Sequence, residues 1–148
     1  MGHRAGSTLA GLAIALQLAP AAAVVECTRA DFEAVVDEAA ASLRNLNQKN
    51  RPVFQEKLRA LKNKRGWSHD VFMKEAVPFV KDEKIEVYDQ SSAELLDEIS
   101  RMGQEGAEAT TPDCALLEDL RARMSKLVGI QTDKWSYMFG KLQVELAK

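Results

Sequence analysis

TPDCALLEDLRARMSKLVGIQTDKWSYMFGKLQVEL, residues 111 to 146, is the stretch whose reading decides the fold. Leu117, Leu120, Met124, Leu127, Val128, Trp135, Met138, Phe139, Leu142 and Leu146 recur in it at steps of three and four, a spacing that only a helix gathers onto one face. Thr111-Pro112 reads as its opening, a side-chain oxygen for free backbone N–H groups followed by a proline whose missing N–H costs nothing at the first helical position. Cys114 then falls in the first turn. Gly129 with Thr132-Asp133 leaves two readings open, one continuous helix or a break that makes 133–146 a separate terminal helix. Trp135, Tyr137, Met138 and Phe139 concentrate aromatic surface there. They either fill one end of the core or present a contact, and Tyr137, off the apolar stripe, is the candidate for exposure. The stripe as a whole also resembles an oligomer seam.

Cys114 has one possible partner in the chain, Cys27, and an even pair in an oxidising compartment is most simply a disulfide. The compartment is read from the other end of the sequence. Met1 to Arg4 is short and basic, Thr8 to Leu18 is a small apolar run, and Pro20-Ala21-Ala22-Ala23 supplies the small side chains of a signal-peptidase site. Residues 1–23 therefore read as a signal peptide, too short and too weakly flanked for a membrane span, with 24–148 as one periplasmic or secreted domain. Without Arg4 the balance is 19 basic against 22 acidic side chains, which gives no support for nucleic-acid binding.

The remaining helices follow from periodicity and punctuation. Phe32, Val35, Val36, Ala39, Leu43 and Leu46 form the stripe of a helix over 28–46, opened by a Thr28–Asp31 capping box and closed by a turn at Asn45, Asn47 and Asn50. Pro52 restarts a helix that Gly66 stops, with Phe54, Leu58 and Leu61 inward. Ser68 caps the next, with Trp67 and Phe72 as a hydrophobic staple. Pro78 kinks that helix or begins another, and 78–90 divides between helix and irregular chain. One long helix through Val87, Leu95, Ile99 and Met102 is preferred over a lone strand at Ile85 to Tyr88, with a second start available at Ser91 to Glu94 and Gly103 as its stop. The sum is an all-α, four- to five-helix up-and-down bundle whose first and last helices are joined by Cys27 and Cys114.

Charge is segregated along this chain. Residues 49–65 carry Lys49, Arg51, Lys57, Arg59, Lys62, Lys64 and Arg65 against Glu56 alone, while Asp82 to Asp119 holds twelve carboxylates against Lys84 and Arg101. The acids lack the alternating loop pattern of a calcium site and read as a solvated face partly matched to the basic helix. No phosphate-binding glycine loop, paired-cysteine zinc pattern, haem-attachment motif or nucleophile elbow occurs, and no pair of carboxylates stands out for acid–base work. No metal, cofactor or catalytic residue is assigned.

The sequence thus favours a non-enzymatic exported binding protein with a protein or anionic envelope partner. Contact would run through the basic helix (49–65: Arg51, Lys57, Lys64) or the aromatic terminal helix (133–146: Trp135, Tyr137). The alternative is a small-molecule or haem carrier with a pocket in the bundle core, His69 and Met73 being axial candidates.

Overall fold

Five helices build the described residues, 26–148, of this computed structural model: α1 (Arg29–Arg65), α2 (His69–Glu75), α3 (Val77–Val80), α4 (Glu83–Glu108) and α5 (Cys114–Ala147). The signal peptide assigned to 1–23 lies outside them. α1, α4 and α5 are long and run up, down and up, while α2 and α3 close the far end. Val36 meets Gly103 and Phe32 meets Gly106, so α1 and α4 are antiparallel. Gln131 donates to Ser92 and Tyr137 to Asp82, so α4 and α5 are antiparallel too. α1 and α5 are therefore parallel, which the Cys27–Cys114 disulfide fixes at one end and an Arg65–Glu145 ion pair at the other. At about 1.5 Å per residue α1 alone is about 55 Å long, so the molecule is a rod.

The two-helix reading of 28–65 is corrected: α1 runs unbroken for 37 residues through Pro52. The asparagines taken for a turn have other partners. Asn47 Oδ1 accepts the indole N–H of Trp135 at 3.1 Å, and Asn50 Nδ2 donates to the Leu46 carbonyl at 2.8 Å. Packing against α5 thus overrides a local preference for leaving the helix. Its ends are as expected. Asp31 takes the Thr28 N–H at 2.6 Å, and Gly66 (φ 63°) closes α1 with bonds from Gly66 N–H to Asn63 and from Trp67 N–H to Lys62, a Schellman motif.

Three further boundaries move. α4 passes through Gly103 and stops at Glu108, because its glycines serve packing: a Cβ on Gly106 would sit 2.2 Å from the fully buried Phe32 ring. Asp113, not Thr111, caps α5, its carboxylate accepting from Ala115 N–H at 2.9 Å and Leu116 N–H at 3.2 Å. α5 is continuous through Gly129 and Gly140, so 133–146 is its second half rather than a helix of its own. Pro78 sits in the first turn of α3, Asp82 caps α4 through Ile85 N–H at 2.8 Å, and Ser91 starts nothing.

Burial divides the rod into two apolar blocks. Near the disulfide, Phe32, Val35 and Ala39 of α1 pack with Leu95, Ile99 and Met102 of α4 and Leu117, Leu120, Met124 and Leu127 of α5. At the far end, Phe54, Leu58 and Leu61 pack with Phe79, Ile85, Met138 and Leu142, flanked by Trp67, Phe72 and Trp135. The α5 stripe is thus covered from within the same chain. Between the blocks lies a polar layer in which buried Ser92 accepts from Gln131 at 2.7 Å and Asn47 holds Trp135. Such a layer sets the register, because sliding the helices would bury these groups unpaired.

Two predictions follow from these contacts. Gly106→Ala places a methyl into Phe32 and should cost about 1–3 kcal/mol, whereas Gly129→Ala and Gly140→Ala, whose new Cβ atoms would meet nothing within 4 Å, should each gain up to about 1 kcal/mol in denaturant titrations. Reducing Cys27–Cys114, which closes a loop of 87 residues in sequence separation, should remove about 4–5 kcal/mol in the chain-entropy picture, and an unchanged unfolding midpoint would contradict that role.

Candidate functional site

Lys64, Trp135 and Tyr137 are spent on holding the far block together. The Lys64 ammonium donates to the Leu146 carbonyl at 2.6 Å, and Arg65 pairs with Glu145 at 2.9 Å, so two cations of α1 sit where the helix dipole leaves α5 negative. Lys148 and then Arg65 hold the Glu145 carboxyl below its ordinary range. Trp135 lies edge-on to Phe54, with ring centroids 5.8 Å apart, besides its bond to Asn47. It is part of the core's flank.

Tyr137 belongs to a polar cluster that docks α5 on the start of α4. Its hydroxyl donates to Asp82 at 2.9 Å, and Lys141 reaches both the Asp82 carboxylate and the Pro78 carbonyl. The ammonium groups of Lys84 and Lys141 stand 4.6 Å and 5.4 Å from its ring. Asp82 accepts from Lys141, Ile85 N–H and Tyr137 at once, which lowers its pKa to about 2. The same bond to Asp82, with partial burial, raises that of Tyr137. Every group in the cluster has a partner that ties two elements together.

The acidic run is matched to α5, not to the basic part of α1. Among the described residues Asp82 pairs with Lys141, Asp89 with Lys134 and Glu98 with Arg123, and no ion pair joins α4 to α1. Arg51 is exposed and Lys57 half-buried on α1; neither has a partner among the described residues, and the same holds for Lys49 and Arg59. Arg44 joins them. Sequence reasoning left it out because the expected turn at 45–50 placed it on a different helix, and the continuous α1 brings it into line with Arg51.

Seen along the rod, the charges separate into two halves. The half with the disulfide (26–46 and 92–131) carries thirteen acidic against six basic side chains, and the other (47–91 and 132–148) nine acidic against thirteen basic. The far half also exposes Val71, Met73, Val77, Val80 and Val144, and holds a cleft of about 460 Å³ lined by Trp67, Pro78, Phe79 and Val144 together with Arg65, Glu75, Lys141 and Glu145. His69 and Met73 are both exposed on α2. A second concavity of about 450 Å³ lies on α1 itself, lined by Arg44, Asn47, Gln48, Arg51 and Pro52. Among the described residues no group of three or more His, Cys, Asp or Glu converges as a metal site, and no helix is long and apolar enough to cross a membrane.

The cluster at Asp82 makes a pH prediction. Its folded-state pKa is depressed, so the stabilisation is complete above the ordinary carboxylate value of 3.8 and is lost as pH falls through about 2. Asp82→Asn keeps a capping oxygen but removes the charge. The melting temperature of the variant should lie below that of the parent at pH 7, and the gap should close between pH 4 and pH 2. A gap that persists unchanged to the acid limit would assign the effect elsewhere.

No family model matches this chain, and neither a curated protein nor a solved structure matches it.

Proposed function

We propose that the chain is an exported, non-enzymatic binding protein that meets an anionic envelope component through the outer side of α1. The observation that carries this reading is the set of cations on α1 without a partner among the described residues: Arg44, Lys49, Arg51, Lys57 and Arg59. The other long-range ion pairs tie elements of the bundle together: Asp82, Asp89 and Glu98 go to α5, and α1 gives Lys64 and Arg65 to the end of α5. A run of like charge on a rigid helix raises the encounter rate with an anionic surface and fixes which side meets it. A disulfide between the first and last helices supports an oxidising compartment.

Rigidity is the second support. Both ends of α1 are tied to α5, so the cations ride on a backbone that does not need ordering on contact, and less entropy is lost in binding. The test is retention of the envelope fraction on immobilised protein. Arg51→Glu with Lys57→Glu, which leaves the Lys64, Trp135 and Tyr137 contacts in place, should reduce retention by about tenfold without altering the melting curve. Equal retention by the parent and this variant would remove the α1 surface as the contact.

A further inference from the structure

The geometry points to a row of guanidinium and amide groups on α1, Arg44, Gln48, Arg51, Gln55 and Arg59, as a binding track for an extended acidic polysaccharide. This rests on the α1 reading above and narrows it to one side of the helix and one class of ligand.

The five residues follow each other at steps of four, three, four and four, so they share one face, and all five are exposed. Lys49, Val53, Glu56 and Lys57 fall off this row. The row therefore carries arginine and glutamine with no acid between Arg44 and Arg59. It spans about 22 Å, with the arginines about 10.5 and about 12 Å apart along the axis. Before Arg44 the same face returns to an acid at Asp37; after Arg59 it reaches Lys62, whose ammonium lies 5.5 Å from the Phe72 ring.

The chemistry alternates. An arginine fork donates two parallel bonds to a carboxylate or sulfate and can accept none. A glutamine amide both donates and accepts, which suits a hydroxyl. In the middle of the row, Pro52 has no N–H to return to the Gln48 carbonyl, and both residues line the concavity of about 450 Å³ between Arg44 and Arg51. A continuous row of charge-pairing and hydroxyl-pairing groups fits a linear chain whose acid groups recur between hydroxyl-rich stretches. The row offers no aromatic ring on which a nucleobase would stack and no large apolar side chain to enter a bilayer.

The experiment is calorimetric titration of the disulfide-bonded protein with size-defined alginate oligosaccharides, with dextran sulfate as the sulfate-bearing arm. Arg44→Gln/Arg51→Gln/Arg59→Gln should weaken binding by about tenfold or more and leave the circular dichroism melt unchanged, since glutamine and arginine are similar helix formers. Lys49→Gln/Lys57→Gln/Lys74→Gln, which removes as much charge from off the row, should weaken it by less than about twofold. Alginate and dextran sulfate distinguish carboxylate from sulfate as the paired acid, and binding of either supports the row. Equal losses in the two triple variants overturn the row and leave a diffuse basic surface. No binding of either polymer by the parent, while Arg51→Glu/Lys57→Glu still loses envelope retention, overturns the polysaccharide and keeps the α1 surface. Tighter binding to phosphatidylglycerol vesicles than to either polymer also overturns it, in favour of a lipid surface.

Discussion

The bond between Cys27 and Cys114 decides what the rest of the chain can be. It places the starts of α1 and α5 level and side by side, so these two helices must run in the same direction. Parallel neighbours cannot be joined by a short turn; the chain has to return along the full length between them. α4 is that return, and it fits because Gly106 lets it approach the Phe32 ring and Gly103 lets it approach Val36. The covalent link and the two glycines are thus one device. At the other end Lys64 and Arg65 close the same pair of helices by hydrogen bond and charge, which keeps α1 and α5 together where no covalent link holds them.

The helical class, the bundle and the pairing of the cysteines were legible in the sequence, because steps of three and four in Leu117 to Leu146 and an even cysteine count are nearly local facts. The stop at Gly66 and the start at Ser68 were legible for the same reason. What misled were residues whose role is set across the bundle. Asn47 and Asn50 look like turn formers until Trp135 and the Leu46 carbonyl are beside them. Gly103 looks like a helix stop until Val36 occupies the space its missing side chain leaves. The surface suffered in the same way. With the first helix cut in two, Arg44 and Arg51 could not be seen as neighbours on one face. Lys64, Trp135 and Tyr137 looked available to a partner because nothing in the sequence announces Leu146, Asn47 or Asp82 as their neighbours.

The polar layer between the two apolar blocks has a use. Ser92, Gln131, Asn47 and Trp135 find their partners in the observed register, and a slip of one helix would part them. On a rod built from long helices, where a stripe can slip by one turn and still bury leucine against leucine, such a constraint is what makes the structure unique. It also keeps the aromatic far block in step with the disulfide block, so the outer side of α1 is presented as one continuous helix across both.

The division of charge along the rod changes what its small net charge means. At physiological ionic strength the field of an exposed charge fades within about 8 Å, whereas α1 alone extends for about 55 Å. A neighbour touching one half is therefore blind to the other, and the near-cancellation in the total describes nothing that any partner experiences. The molecule behaves as two oppositely charged bodies on one shaft, so its field is that of a dipole laid along the rod rather than that of a weakly charged sphere.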